Sequence, residues 1–309
     1  MSVSVVIPAY NAALWLPDAL QSVLRQTYTD WEAIVVNDGS TDGTAAVVKS
    51  YSEQDGRIRL LTQAANRGPA TARNLGLLDA RGEYIAFLDA DDIWMPTKLE
   101  KQLFLLQAQP DCDACYTQFE LVNDGCQPIQ NWQGLSRTFW HNPVDALALA
   151  RGNYVAGSAS AVLMRRAMIE TVGFFNETMR GSEDFNYWYR MALCARFCLV
   201  PEVLVHIRRK YETRLSATKR NLLGSLDFVR NARRIAPASH RRLLTELEIE
   251  TRVMLCGYYL GSALIFRDAR MAHLLLFGKQ NALLKRMLKS LIKLGRRNVS
   301  PVLIEQRTP

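Results

Sequence analysis

Apolar positions in the first hundred residues alternate between two periods. Residues 3–7 read Val-Ser-Val-Val-Ile and stop at Pro8, a short run of β-formers that predicts a buried strand. Residues 12–26 then place Leu16, Ala19, Leu20, Val23 and Leu24 at helical spacing, with Pro17 near the start, where a missing N–H does least harm. Strands are predicted again at residues 31–36, 57–62 and 84–88. Between them, helices are predicted through Ala45, Val48 and Tyr51, and over residues 70–80 with Ala72, Leu75, Gly76 and Ala80 inward. This β-α-β-α-β-α-β order, with connections long enough for parallel crossovers, predicts an α/β fold. Its core would be a doubly wound, mostly parallel sheet flanked by helices.

Beyond that point the rhythm changes. Residues 97–107 predict a helix, and residues 114–122 and 127–133 a hairpin across Asn123-Asp124-Gly125. Residues 158–165 predict a strand, followed by a short helix and the turn Gly173-Phe174-Phe175-Asn176. Ser182-Glu183-Asp184 opens a helix with Phe185, Trp188, Ala192 and Ala195 along one face, and residues 197–200 and 203–208 are strands closing the sheet. Past Ser216 the chain reads as helical. The pattern therefore divides it into a sheet-bearing domain, residues 1–216, and a helical extension, residues 217–309.

Composition refines the division. With 309 residues, 49% hydrophobic and 22% charged, the chain can bury a large core. Its net charge of +8 is uneven: residues 219–309 hold 18 basic and 6 acidic side chains, residues 1–218 hold 20 and 24. The basic excess belongs to the extension and points it toward an anionic surface. Residues 253–266 are uncharged but too few for an ordinary membrane span. Residues 274–294 interleave leucines with Lys279, Lys285, Arg286, Lys289 and Lys293, the pattern of a basic amphipathic helix able to lie on anionic lipid. The alternative is a helix packed on the domain with a solvated basic face. A nucleic-acid partner is disfavoured, since no binding module is recognisable and the basic stretch lacks aromatics.

The six cysteines are Cys112, Cys115, Cys126, Cys194, Cys198 and Cys256. No secretory leader opens Met1-Ser2-Val3-Ser4-Val5, so they are expected as buried, reduced thiols in a cytoplasmic protein. The spacing of Cys112 and Cys115 with Cys194 and Cys198 matches no familiar zinc site.

The candidate chemistry lies where the fourth strand ends. Its apolar run delivers Asp89, Asp91 and Asp92 beyond a carboxyl end, where open α/β sheets bind ligands. Clustered carboxylates repel, and a site that keeps them together suits a hard cation, Mg²⁺ or Mn²⁺. The plain alternative is a solvated acidic turn. Asp38, just past the second strand, can converge on the same crevice.

Five motifs then occur in order: Val5-Val6-Ile7-Pro8-Ala9-Tyr10-Asn11, Val35-Val36-Asn37-Asp38-Gly39-Ser40-Thr41-Asp42, Ala72-Arg73-Asn74-Leu75-Gly76, Phe87-Leu88-Asp89-Ala90-Asp91-Asp92 and Glu183-Asp184. Each is weak alone; together they resemble the family-2 glycosyltransferases, with their nucleotide-sugar-binding GT-A fold. The resemblance covers residues 1–216 and leaves the extension unexplained.

The resemblance implies a nucleotide-diphospho-sugar donor, a UDP-sugar, and a saccharide or lipid-linked acceptor. Pro8 and Tyr10 would line the base pocket, Asp38 would accept a hydrogen bond from the base imide, and Arg73 would lie near the diphosphate. Asp91, with Ala90 beside it, would bind the divalent metal directly, and Asp89 would hold the ribose or a metal-bound water. Asp92 would serve only the following turn. Asp184 would be the general base of a direct, inverting displacement, with Glu183 positioning its neighbours. With Ser182 as N-cap, Asp184 would sit in a first helical turn whose dipole keeps it ionised at neutral pH.

One departure concerns the stretch after the last strand, where many relatives carry a His. Lys210 aligns there; it can hold phosphate but cannot ligate metal while protonated. His206 reads as a packed strand residue, and Arg208, Arg209 and Arg214 as further candidates for diphosphate contact. The resemblance further implies cell-surface polysaccharide or glycolipid synthesis at the cytoplasmic membrane face. Two other readings share features with this one. A sugar-1-phosphate nucleotidyltransferase would need a glycine-rich loop after the first strand, and Ile7-Pro8-Ala9-Tyr10-Asn11 is not one. A non-catalytic nucleotide-sugar-binding protein would not need Asp91 and Asp184.

Overall fold

In the computed structural model, residues 1–129, 146–151, 158–208 and 214–266 are described. The strands are β1 Val3–Ala9, β2 Trp31–Asp38, β3 Ile58–Gln63, β4 Tyr84–Phe87, β5 Ile93–Trp94, β6 Ala114–Val122, β7 Val162–Arg165 and β8 Phe197–Arg208. They form one sheet in the order β3-β2-β1-β4-β7-β6-β8-β5. The helices are α1 Leu16–Leu24, α2 Thr44–Gln54, α3 Pro69–Asp79, α4 Lys98–Ala108, α5 Ala146–Arg151, α6 Met168–Val172, α7 Glu183–Ala192, α8 Arg214–Ile235 and α9 Ala238–Phe266.

The first half is the expected doubly wound unit. β1 pairs in parallel with β2 on one side and β4 on the other, and β2 pairs in parallel with β3. Val3, Val5, Val6 and Ile7 are fully buried, as are Ala33–Val36 of β2. Both faces of these strands are covered by helices, so their sequences run continuously apolar instead of alternating.

The second half departs from a parallel sheet. β7 inserts antiparallel between β4 and β6, and β6 runs parallel to β8. The two short strands expected at 197–200 and 203–208 form one strand, β8, whose register against β6 shifts at Thr117–Phe119, opposite Pro201 and Glu202. A proline cannot donate to the ladder, and the bulge absorbs it. Of the predicted hairpin, the described residues show a bridge from Val122 to Pro128 and bonds from the Asn123 N–H to the Gln127 carbonyl and from the Ile129 N–H to the Leu121 carbonyl, both 2.9 Å; residues 130–133 lie outside the described residues.

Cys112 and Cys198 are brought together with Cα atoms 6.2 Å apart, within disulfide reach, while Cys115, Cys126 and Cys194 are free. The β6–β8 register sets Cys115 opposite Cys198 and carries the preceding turn, with Cys112, over it. That pairing is a tertiary event which cysteine spacing does not encode. The helix at Glu183 was expected to bury one apolar face, yet Asn186–Tyr189 and Met191 are all buried, because α8 covers its other side. Phe228 of α8 stacks on Phe185 at 4.0 Å and meets Tyr189 edge-on at 5.6 Å.

Candidate active site

Because β1 is followed by a strand on one side and later by β4 on the other, the strand order reverses at β1, and a crevice opens at the carboxyl ends there. A cavity of about 480 Å³ occupies it, lined among others by Pro8, Tyr10, Asp38, Arg73, Asp89, Ala90 and Asp91. A second cavity of about 580 Å³ adjoins it, sharing Gly68, Pro69, Arg73, Asp89, Asp91 and Glu183, and adding Asp184. Pro8, Tyr10, Asp38, Arg73, Asp89, Ala90 and Asp91, nominated for the nucleotide sugar, thus line the first cavity, and the nominated base lines the second.

Asp38 ends β2 with its side chain buried. It accepts hydrogen bonds from the backbone N–H groups of Arg67 and Gly68, both at 2.8 Å, and from Gln63 at 3.0 Å. It therefore holds the 66–68 loop as a cavity wall and keeps about one of a carboxylate's four acceptor sites for another donor. The next residue, Gly39, has φ +68°, and a Cβ there would lie 2.5 Å from the Ala65 carbonyl carbon. Any other residue would push that wall away. Tyr10, 49% exposed, stands at the cavity's rim with its ring face available.

Arg73 is the electrostatic centre. On α3 and 4% exposed, it donates from Nη2 to Asp89 and from Nη1 to Glu183, each at 2.7 Å. Its guanidinium lies 5.6 Å over the Phe175 ring. Phe175 in turn stacks on Tyr187 of α7 at 4.2 Å and meets Phe87 of β4 at 5.4 Å. This aromatic block seats the start of α7 against the acidic turn. The two carboxylates hold the Arg73 charge firmly on. Glu183 accordingly positions Arg73, a role within what the resemblance implied for it.

The three acids of the turn are not equivalent. Asp89 also accepts from the Ser158 hydroxyl at 3.1 Å, and its N–H donates to Ser160 Oγ at 2.9 Å. Asp91 lines both cavities. Asp92 is 2% exposed and accepts from Ser158 and Ser160 hydroxyls, both at 2.6 Å, and from the Arg208 N–H at 3.2 Å. Burial and the adjacent Asp89 and Asp91 charges push its carboxyl up to about 8. Asp92 therefore does more than serve the following turn: it ties the acidic turn to the segment before β7 and to the end of β8. Sequence reading missed Ser158 and Ser160, because small hydroxyls near a strand start carry no signal of a partner some seventy positions upstream.

Asp184 lies in the first turn of α7, which is not capped as its sequence suggests. Ser182 stands at the cap position but adopts φ +56°, and its side chain makes no capping bond. Asp184 instead accepts from the Phe185 N–H at 2.7 Å. Burial, then the Glu183 charge, pushes its carboxyl up to about 7, against the opposing pull of Arg73. The expectation that a helix start keeps Asp184 fully ionised at neutral pH is corrected. Desolvation and a like charge outweigh a dipole effect of about 1 kcal/mol. A carboxyl in this range is well matched to accept a proton near neutrality.

Arg208 lines the second cavity with its side chain 1% exposed. It donates from Nη2 to Asp18 at 2.8 Å and contacts Cys126 Sγ at 2.9 Å, while its Nε and Nη1 have no hydrogen-bond partner among the described residues. His206 faces Glu120 at 3.6 Å and lines neither cavity. Lys210 and Arg209 lie outside the described residues, as do residues 274–294. Among the described residues no helix is long and apolar enough to cross a membrane.

Among the described residues no group of three or more His, Cys, Asp or Glu is arranged to hold an ion by itself. The donor set nonetheless suits one kind of cation. Asp89 and Asp91 offer carboxylate oxygens where the cavities meet, and Mg²⁺ or Mn²⁺ commonly takes one or two carboxylates, completing its shell with phosphate oxygens and water.

A mixed sheet with a nucleotide-type crevice, acids at its mouth and a second cavity beside it defines the GT-A class. The model of the glycosyl transferase family 2 matches residues 4–173, and the chain belongs to that family. It is 41% identical over 130 residues to the putative teichuronic acid biosynthesis glycosyltransferase TuaG of Bacillus subtilis, covering 42% of this chain and 51% of that one. It is 42% identical over 122 residues to the Escherichia coli UDP-Glc:alpha-D-GlcNAc-diphosphoundecaprenol beta-1,3-glucosyltransferase WfgD, covering 40% and 47%. The chain thus spans about half the length of these curated relatives. Among solved structures, Staphylococcus aureus TarS 1-349 in complex with UDP-GlcNAc superposes with TM-score 0.62 at 19% identity, over 90% of this chain and 76% of that one. The mannosyltransferase PcManGT from Pyrobaculum calidifontis, in complex with GDP-Man and Mn²⁺, gives 0.63 at 19%, over 95% and 80%. At such identities these two speak to the fold alone.

Proposed function

We propose that the chain is an inverting glycosyltransferase that moves a sugar from a nucleotide-diphosphate donor, a UDP-sugar, to an acceptor hydroxyl in cell-surface glycan or glycolipid synthesis. One observation carries the reading: two cavities share Arg73, Asp89, Asp91 and Glu183, and Asp184 lines only the second. A donor site and an acceptor site meeting at a charged seam, with the base on the acceptor side, is the arrangement that displacement at an anomeric carbon needs. The teichuronic acid relative and the lipid-linked acceptor in the name of WfgD support the glycan class.

In this reading Pro8, Tyr10 and Asp38 hold the nucleoside. Asp91, with Asp89, holds Mg²⁺ or Mn²⁺, which when bound supplies charge neutralisation to the leaving diphosphate. Arg73 fixes Asp89 in place, and Arg208 offers its unpartnered Nε–H and Nη1–H₂ to phosphate oxygens. Asp184 takes the proton of the acceptor hydroxyl as the new glycosidic bond forms and the bond to the nucleoside diphosphate breaks. Lys210 contributes phosphate contact, and the basic extension, through residues 274–294, contributes anionic membrane contact at the cytoplasmic face.

The test is release of nucleoside diphosphate from a set of UDP- and GDP-sugars by the full chain with Mn²⁺ or Mg²⁺. Metal-dependent turnover with inversion at the anomeric carbon is expected. Tight donor binding with no turnover for any donor, water and saccharides both being present, overturns catalysis and leaves a binding protein. Sedimentation with anionic vesicles checks the extension: loss of residues 267–309 is expected to abolish it.

A further inference from the structure

α8 presents Gly224, Asp227, Phe228 and Asn231 at the i, i+3, i+4, i+7 spacing of one helix face. That face meets the chain leading into α7. A Cβ on Gly224 would lie 2.7 Å from the Gly181 carbonyl carbon and 2.9 Å from its Cα, so the helix backbone rests directly on the loop backbone. Asp227 takes Arg180 in a fork, Nε at 2.8 Å and Nη2 at 2.6 Å, and also accepts the Arg180 backbone N–H at 3.2 Å. Asn231 Oδ1 accepts from Asn176 Nδ2 at 3.3 Å, and Phe228 stacks on Phe185.

These contacts span residues 176–185, and Asp184 lies within them. Met179–Asp184 also form a wall of the second cavity, which Asn221, one turn before Gly224 on α8, lines as well. Ser182 is held at φ +56° between Gly181, which α8 pins, and Glu183, which Arg73 pins. An L-residue keeps such a conformation only where its surroundings fix it on both sides.

We propose that α8 is a working wall of the acceptor site: Gly224 and Asp227 are positioning residues that set the 176–182 loop and, through it, Asp184. This rests on the glycosyltransferase reading for its consequence, though not for its geometry. The competing account is that α8 only shields apolar surface of α7.

Gly224→Ala separates the two, because helix propensity and close approach oppose each other. Propensity makes the alanine helix more stable; the approach to Gly181 forbids the added carbon. In the full chain, hydrogen exchange across residues 176–184 is expected to speed up tenfold or more in Gly224→Ala, with β1–β4 still protected. Asp227→Asn, which keeps the packing, is expected to speed exchange there severalfold, and it supplies the readout should the alanine variant fold poorly. With a UDP-sugar and Mn²⁺, kcat for donor hydrolysis, normalised to the folded fraction measured by nucleoside-diphosphate titration, is expected to fall tenfold while donor KM stays within twofold; the normalisation removes any loss that comes from unfolding alone. A Gly224→Ala chain that is more heat-stable, with exchange and kcat unchanged, overturns the proposal. If the unaltered chain hydrolyses none of the donors, the glycosyltransferase reading fails while the exchange experiment still decides whether α8 sets the loop.

Discussion

Arg73 and Glu183, 110 positions apart in the chain, meet at 2.7 Å, and the same guanidinium holds Asp89. This bridge joins the acidic turn after β4 to the first turn of α7, so the two adjoining cavities share one cation. Removing it leaves Asp89, Glu183 and Asp184 facing one another without compensation. Arg73→Ala is therefore expected to lower stability by about 3–5 kcal/mol, as breaking buried ion pairs does. Urea unfolding measures it, and glycosyl transfer should be lost with it.

Asp184→Asn removes the proton acceptor while preserving shape and the hydrogen bond to the Phe185 N–H. Turnover is expected to fall by about 10²–10⁴-fold, the usual worth of a general base. Calorimetric affinity for the nucleoside diphosphate should stay within a few-fold. Full turnover by this variant removes Asp184 from the role.

Since burial and Glu183 place the Asp184 carboxyl at about 7, its basic form is gained as pH rises through that value. The kcat/KM for donor turnover is expected to climb tenfold per pH unit below about 7 and then level. A profile already flat at pH 5 would mean that the working base is a carboxylate of ordinary acidity.

Asp92 binds its proton more tightly folded than unfolded, its carboxyl standing at about 8 against an ordinary value of 3.8. The sign follows: its contribution is complete below the unfolded value and is lost as pH rises through about 8. Asp92→Asn keeps an acceptor for the Ser158 and Ser160 hydroxyls and removes the titration. In metal-free buffer, the stability lost by the unaltered chain between pH 6 and pH 9 is expected to be smaller in this variant.

Asp91 is the test of the metal reading. Chelation is expected to abolish turnover, and Mn²⁺ to tighten nucleoside-diphosphate binding about tenfold or more. In Asp91→Asn that enhancement should vanish, with metal-free nucleotide affinity little changed. An unaltered Mn²⁺ response in calorimetry would assign the metal elsewhere.

Much was legible without coordinates. The β-α alternation through Phe87 follows from local periodicity, and the β1, β2 and β4 motifs carry their chemistry at strand ends, where chain order alone sets Pro8, Asp38 and Asp89 on one rim. Helix boundaries came within a few residues because Pro, Gly and apolar spacing act locally. Other features had no local signature: Ser158 and Ser160 binding Asp92, the 66–68 loop hung on Asp38, the meeting of Cys112 with Cys198, and α8 against Gly181.

The sequence by itself determined which groups are present and which strand ends deliver them, since spacing along a strand or helix is a property of the backbone. Only the tertiary structure decided their partners and their charge state. Local rules read Asp184 as an ionised residue at a capped helix start. Partial burial beside the second cavity and the neighbouring Glu183 charge pushed its carboxyl up to about 7, and a carboxylate so placed is a stronger base.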